Sequence, residues 1–148
     1  MCLRDQIRQY YDFWFGASQI YEEWAKSHGL TSNTLFVLYT IDEYSGRCTQ
    51  QIICERLLLP KQTTSSILAE LQAQGYIKKE PSSEDRRSKI VSFTEKGRQY
   101  AENILKQLYR FEEKALSGMT VGERTDMLEN CSKFLQQLQN SIQLKEEK

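Results

Sequence analysis

The stretch TQQIICERLLLPKQTTSSILAELQAQGYIKKEPSSEDRRSKIVSFT, residues 49–94, decides how this chain folds. Thr49 is a natural N-cap, its hydroxyl suited to an orphan backbone N–H. Ile52, Ile53 and Leu57 then form the inward side of a short helix from Gln50 to Leu58. Leu59-Pro60 interrupts it, since proline cannot continue a helix interior but sits well at a helix start. A second helix is expected from Lys61 to Gln74, stopped by Gly75. Two extended runs, Tyr76 to Glu80 and Lys89 to Phe93, flank the turn material Pro81-Ser82-Ser83-Glu84-Asp85 and read as a hairpin. Two short helices with a tight break, then a hairpin, is the order of a winged helix-turn-helix.

A helical wheel sharpens this reading. Thr64, Ile67, Leu68 and Leu71 fall within an arc of about 100° and form an inward face. Gln62, Ser66 and Ala69 lie opposite, flanked by Lys61, Thr63 and Ser65. Glutamine can pair with adenine, Ser and Thr with several base edges, and Ala with a thymine methyl, so the outward face suits a major-groove reader. The positive end of the helix dipole adds attraction for phosphate. Arg86, Arg87 and Lys89 crowd the hairpin tip, where arginine suits the negative potential of a narrow minor groove. Asp85 beside them is expected to hold a guanidinium in a fixed fork. The plainer readings are a solvated helix start and a surface ion pair worth ~0–1 kcal/mol. Helix and hairpin together favour DNA.

Outside this stretch the chain is mainly helical. A first helix from Leu3 to Lys26 carries Ile7, Tyr10, Tyr11, Trp14, Ile20, Tyr21 and Trp24 at three- and four-residue steps, with Gly29 as its stop. Thr31 caps a second, to Tyr44, with Leu35, Leu38 and Ile41 on one face. After the hairpin, Thr94 caps a long helix from Glu95 to Leu116 carrying Ile104, Leu105, Leu108 and Phe111, stopped near Gly118. Thr120-Val121-Gly122-Glu123 has the form of a capping box and starts a sixth, with Leu128, Cys131, Phe134, Leu135, Leu138 and Ile142 as its stripe. The tail from Leu144 to Lys148 is expected to fray.

Composition excludes several classes. The chain has 148 residues and a net charge of zero, which argues against a nonspecific polycation. Its charge is uneven: ten Lys/Arg face six Asp/Glu between Arg47 and Arg98, leaving a basic middle between acidic ends. No apolar run approaches the ~20 residues of a membrane helix. Met1 to Gln6 contains no apolar leader, which points to the cytoplasm. Cys2, Cys48, Cys54 and Cys131 lack metal-ligand spacing, and His28 is the only histidine, so neither a metal nor a cofactor is expected. With no Gly-rich phosphate loop and no His beside a nucleophile, an enzyme is not expected either.

From Leu71 to Lys79 and from Ser83 to Arg98 the sequence resembles the MarR family of bacterial regulators. The first part follows the family's L-x-x-x-G-[YL]-I helix exit. The second follows its wing pattern D-x-R-x-x-x-[LIV]-x-[LF]-T-x-x-G, with Asp85 and Arg87 in the D-x-R places. The resemblance implies a two-fold dimer held by N- and C-terminal helices, a recognition helix in the major groove and a wing arginine in the minor groove. It also implies a palindromic target, often released by a small phenolic effector. Apolar stripes on the first, fifth and sixth helices support a homodimer independently, placing two reading helices about 34 Å apart, against the plainer reading of an intramolecular bundle of those helices.

The expected architecture is therefore a single six-helix domain with a short β-hairpin wing. Residues 30–98 form its DNA-binding part, and residues 1–29 and 99–148 its dimerisation region. The expected function is a sequence-specific transcriptional regulator, a repressor by preference. Lys61, Gln62, Thr63, Ser65, Ser66, Asp85, Arg86, Arg87 and Lys89 are the expected DNA contacts. Tyr10, Tyr11, Trp14 and Tyr39 are candidates to line a pocket for a small aromatic effector, against the plainer reading that they are core; His28 is a weaker candidate. Two other functions compete: a winged-helix protein-interaction module without DNA binding, and a redox sensor. For the latter Cys48 is the best candidate, since a thiol at a helix N-terminus can have a lowered pKa.

Overall fold

A computed structural model describes residues 1–146 of the chain. The elements run α1 (Leu3–Ser27), α2 (Ser32–Glu43), α3 (Gln50–Leu57), α4 (Lys61–Ala73), β1 (Ile77–Pro81), β2 (Lys89–Phe93), α5 (Glu95–Ser117) and α6 (Val121–Glu146). Two units separate within α5, Met1–Leu105 and Lys106–Lys148.

In the first unit, the glycines expected to stop helices do so through one device. Gly29 has φ +76° and Gly75 has φ +79°. At each, the two N–H groups after the helix turn back onto its last carbonyls. Leu30 N–H donates to the Ala25 carbonyl at 2.9 Å and Tyr76 N–H to the Leu71 carbonyl at 2.9 Å. This is the Schellman closure, which a residue without Cβ adopts freely. The end of α3 differs. The expected helix to Leu58 stops at Leu57, because Leu58 itself turns left-handed at φ 53°. Thr31 and Thr49 cap α2 and α3 as expected, accepting from Thr34 N–H at 3.1 Å and Ile52 N–H at 3.2 Å.

The core is centred on α2. Val37, Leu38 and Ile41 pack with Cys48, with Ile53 of α3, with Leu68 and Leu71 of α4, and with Ile77 and Val91 of the hairpin, all buried. At ~25 cal/mol per Å² of apolar surface, this cluster is the main cohesive term of the unit. Two buried hydroxyls are satisfied locally: Thr40 donates to the Phe36 carbonyl at 2.7 Å and Thr64 to the Pro60 carbonyl at 3.2 Å.

The hairpin is antiparallel, from Ile77 opposite Phe93 to Pro81 opposite Lys89. One further bond anchors it. Val91 N–H donates to the Cys48 carbonyl at 2.8 Å, tying β2 to the segment before α3. At the far end, Thr94 caps α5 by accepting from Gly97 N–H at 3.0 Å, and its own N–H donates to the Tyr76 carbonyl at 3.0 Å. A Cβ on Gly97 would sit 1.7 Å from the Tyr76 carbonyl oxygen, so only glycine fits there. The glycine of the wing pattern is thus required by close backbone approach.

In the second unit, Thr120 and Glu123 form the expected capping box. Thr120 N–H donates to Glu123 Oε2 at 2.8 Å, and Glu123 N–H to Thr120 Oγ1 at 3.1 Å. Arg124 closes the turn before α6, donating to the Leu116 and Met119 carbonyls at 3.1 and 2.9 Å. Helix α6 continues through Glu146, into the tail expected to fray from Leu144, and Glu147 and Lys148 lie outside the described residues. Among the described residues, no helix is long and apolar enough to cross a membrane.

Candidate nucleic-acid interface

The wheel drawn for α4 matches its burial. Thr64, Leu68 and Leu71 are buried and Ile67 is half-buried, while Lys61, Gln62, Ser66 and Ala69 are exposed. Thr63 and Ser65 are half-buried at the flanks. Ser65 is also engaged: its Oγ accepts from Gln50 Nε2 at 2.7 Å, linking the first turn of α3 to α4.

The wing tip is a closed turn. Ser82 N–H donates to the Ser88 carbonyl at 2.9 Å and Ser88 N–H to the Asp85 carbonyl at 3.1 Å. Asp85 corrects the expected guanidinium fork. Its Oδ1 accepts from the backbone N–H of Arg87 at 3.0 Å, two residues on. Among the described residues the ion pairs join Arg8 to Asp5, Arg56 to Glu43 and Lys78 to Glu80, and Asp85 enters none. The short aspartate side chain folds back on its own turn, as Asp does at turns generally. It shapes the backbone and leaves the arginine heads exposed.

Between α3, the start of α4 and the wing lies an open cleft of about 700 Å³. It gathers Lys61, Arg87 and Lys89 from the expected set and adds Lys79, against one carboxylate, Glu55. Arg86 is exposed at the tip and does not line it. Lys79, Gln50, Gln51 and Ser88 are lining residues that the sequence reading passed over. The signal for Lys79 was present: it pairs with Val91 across the hairpin, two residues from Lys89. Four cations around one concavity attract a polyanion, and low-dielectric walls focus that field.

The candidate effector residues lie elsewhere. Tyr10, Tyr11 and Trp14 meet along α1, with ring centroids 5.7 Å and 5.9 Å from Tyr10. Tyr39 is exposed on α2. A second cleft in the first unit, about 420 Å³, is lined instead by residues such as Lys26, Thr34, Glu70, Gln74 and Tyr100. The His28 ring stacks on Trp24 with centroids 3.8 Å apart. Its Nδ1 lies 2.9 Å from the Trp24 carbonyl oxygen, so it sits on the end of α1. Cys48 does not meet the requirement for a redox centre. It is fully buried, and desolvation pushes its thiol up to about 11, where the reactive thiolate is scarce at neutral pH. The helix N-terminus it precedes does not offset that burial. Among the described residues, no group of His, Cys, Asp or Glu is placed to hold a metal ion.

Comparison with known proteins agrees with this geometry. Residues 28–88 match the model of the MarR family. No curated protein sequence matches the chain. The fold is similar to that of NMB1585, a MarR family regulator from Neisseria meningitidis, with 27% identity over 96% of this chain and 97% of that one, and a TM-score of 0.76. It is also similar to the transcriptional regulator BldR from Sulfolobus solfataricus, with 21% identity, coverage of 93% and 99%, and a TM-score of 0.72. MepR from S. aureus, in a complex with DNA, shares 19% identity over 88% of this chain and 94% of that one, at a TM-score of 0.74. Residues 28–88 thus match the model of the MarR family, and the chain as a whole has a fold similar to that of a MarR family regulator.

Proposed function

We propose that this chain is a MarR-type transcriptional regulator that binds a palindromic DNA operator in the cytoplasm as a homodimer, with α4 in the major groove and the wing in the adjacent minor groove. The observation that carries the reading is the cleft joining Lys61 at the start of α4 to Arg87 and Lys89 of the wing. A strand lying across it would put its phosphates among these cations while Gln62, Thr63, Ser65 and Ser66 face base edges and Arg86 and Arg87 reach the minor groove. A protein of the same fold, MepR, has been crystallised with DNA.

Exposed apolar side chains support the dimer. Ile7, Tyr11, Trp14 and Ile20 of α1 and Leu128, Phe134, Leu135, Leu138 and Ile142 of α6 are all more than two-fifths exposed. Exposed apolar stripes of this kind mark an association face, and a second copy of the chain is the occupant. Repression follows if the operator overlaps a promoter. A small aromatic molecule meeting Tyr10, Tyr11, Trp14 and Tyr39 would release the DNA; of these, Tyr39 is exposed on α2 and lies outside the association stripes.

Selection from random duplexes, repeated with and without phenolic compounds, tests this. A palindromic motif is expected. Binding should weaken with salt at a log–log slope of about −7, the figure for four cleft cations in each of two copies. Failure to bind any duplex overturns the reading in favour of a protein-interaction module.

A further inference from the structure

Gln50 and Ser65 meet where α3 and α4 come together, and the polarity of their hydrogen bond can be fixed. A side-chain amide can turn either its nitrogen or its oxygen to a partner. Besides Ser65 Oγ at 2.7 Å, the Gln50 nitrogen lies 3.5 Å from the Lys61 backbone carbonyl. That carbonyl only accepts, and a turned amide would set oxygen against oxygen. Gln50 therefore donates and Ser65 Oγ accepts. The neighbouring Thr64 hydroxyl donates to the carbonyl four residues back, Pro60. Ser65 makes no such bond: the carbonyl four residues before it is that of Lys61, which faces Gln50 instead. Among the described residues, the Ser65 proton has no acceptor.

We infer that Gln50 is a positioning residue that fixes Ser65 as a hydrogen-bond donor, so that Ser65 selects a base presenting an acceptor at its place in the operator. In the major groove, guanine offers O6 and N7 and thymine offers O4, whereas cytosine offers the N4 amino donor. Ser65 thus selects guanine or thymine over cytosine at one base pair in each half-site. This rests on the reading of α4 as the major-groove helix.

Duplex selection with the full chain separates the two claims. Wild-type protein that selects no duplex overturns the reading of α4 itself. Given a wild-type motif, Ser65→Ala is expected to lose about three- to tenfold discrimination at one base pair per half-site, the worth of one hydrogen bond. Gln50→Ala should relax the same base pair, and the double variant should add nothing to Ser65→Ala. Gln50→Glu is the decisive arm. Its carboxylate accepts the Ser65 proton, turns lone pairs toward the groove and shifts the preference toward cytosine. If the Gln50 variants lower affinity for all sequences while the preferred base stays the same, Gln50 is merely structural and the inference falls. An unchanged motif with Ser65→Ala overturns it too. Should Gln50→Ala fail to fold by circular dichroism, Gln50→Met keeps the side-chain length without the donor and is read by the same criteria.

Discussion

Helices α2 and α6 are both apolar along one side, yet they end in opposite states. Five of the twelve residues of α2 are buried, Leu35, Val37, Leu38, Thr40 and Ile41. In α6, more than twice as long, Leu128, Leu135 and Ile142 each remain more than half exposed. The sequence pattern alone does not separate the two, because a stripe says that a face wants cover and not what covers it. The difference teaches that the winged head closes its own core from its own chain, whereas the stripes of α6 and α1 keep exposed apolar side chains that the proposed dimer would cover. Stability and association should therefore be separable by mutation.

The largest effect is expected inside the head. Gly97→Ala would drive a Cβ into the Tyr76 carbonyl, and all three nearest atoms are backbone that cannot swing away. Destabilisation of about 3 kcal/mol or more is expected, because overpacking against a rigid partner is at the upper end of such costs. Thermal unfolding measures it. A variant that melts with the wild type would break the claim that α5 and Tyr76 are locked together.

The next effect concerns only the uncovered stripe. Leu135→Glu should weaken dimer formation by about 2–4 kcal/mol, as loss of a central apolar anchor does. Sedimentation should show monomer while circular dichroism keeps the wild-type helix content. A Leu135→Glu protein that is still dimeric would remove α6 from the interface.

A smaller effect separates two roles for Asp85. Its carboxylate holds the Arg87 N–H, a bond that an asparagine Oδ1 makes equally well. Asp85→Asn should then retain DNA affinity, and Asp85→Ala should lose severalfold, about 1 kcal/mol. Equal losses in a gel-shift titration would show that the charge matters and would restore the ion-pair reading.

How much was legible follows from the same physics. The inward face of α4, the two glycine stops and the four threonine caps were readable, because each is set by residues a turn or two apart. The need for glycine at position 97 was visible as a pattern, but not its cause, which lies twenty-one residues back at Tyr76. The Gln50–Ser65 bond, the anchoring of Val91 on Cys48 and the addition of Lys79 to the cleft join residues far apart in the chain. Bonds of that range leave no periodic trace. Asp85 was misread for the opposite reason. Its partner is closer than an arginine head, in the backbone of its own turn.

Leu58 sets the finest test of the comparison, since it is the head's own exception. It is 87% exposed, so it contributes little to the core. It also holds φ 53° in the turn before α4, the only non-glycine at positive φ among the described residues. A left-handed L-residue costs about 1–2 kcal/mol, against which glycine's extra unfolded-state entropy sets about 0.5–1 kcal/mol. Leu58→Gly should therefore raise stability by about 0.5–1 kcal/mol. Chemical denaturation is the measurement, with the midpoint moving up and the slope unchanged. A lower midpoint would mean that Leu58 is covered in the native protein, and the second copy would then reach the head as well as the long helices.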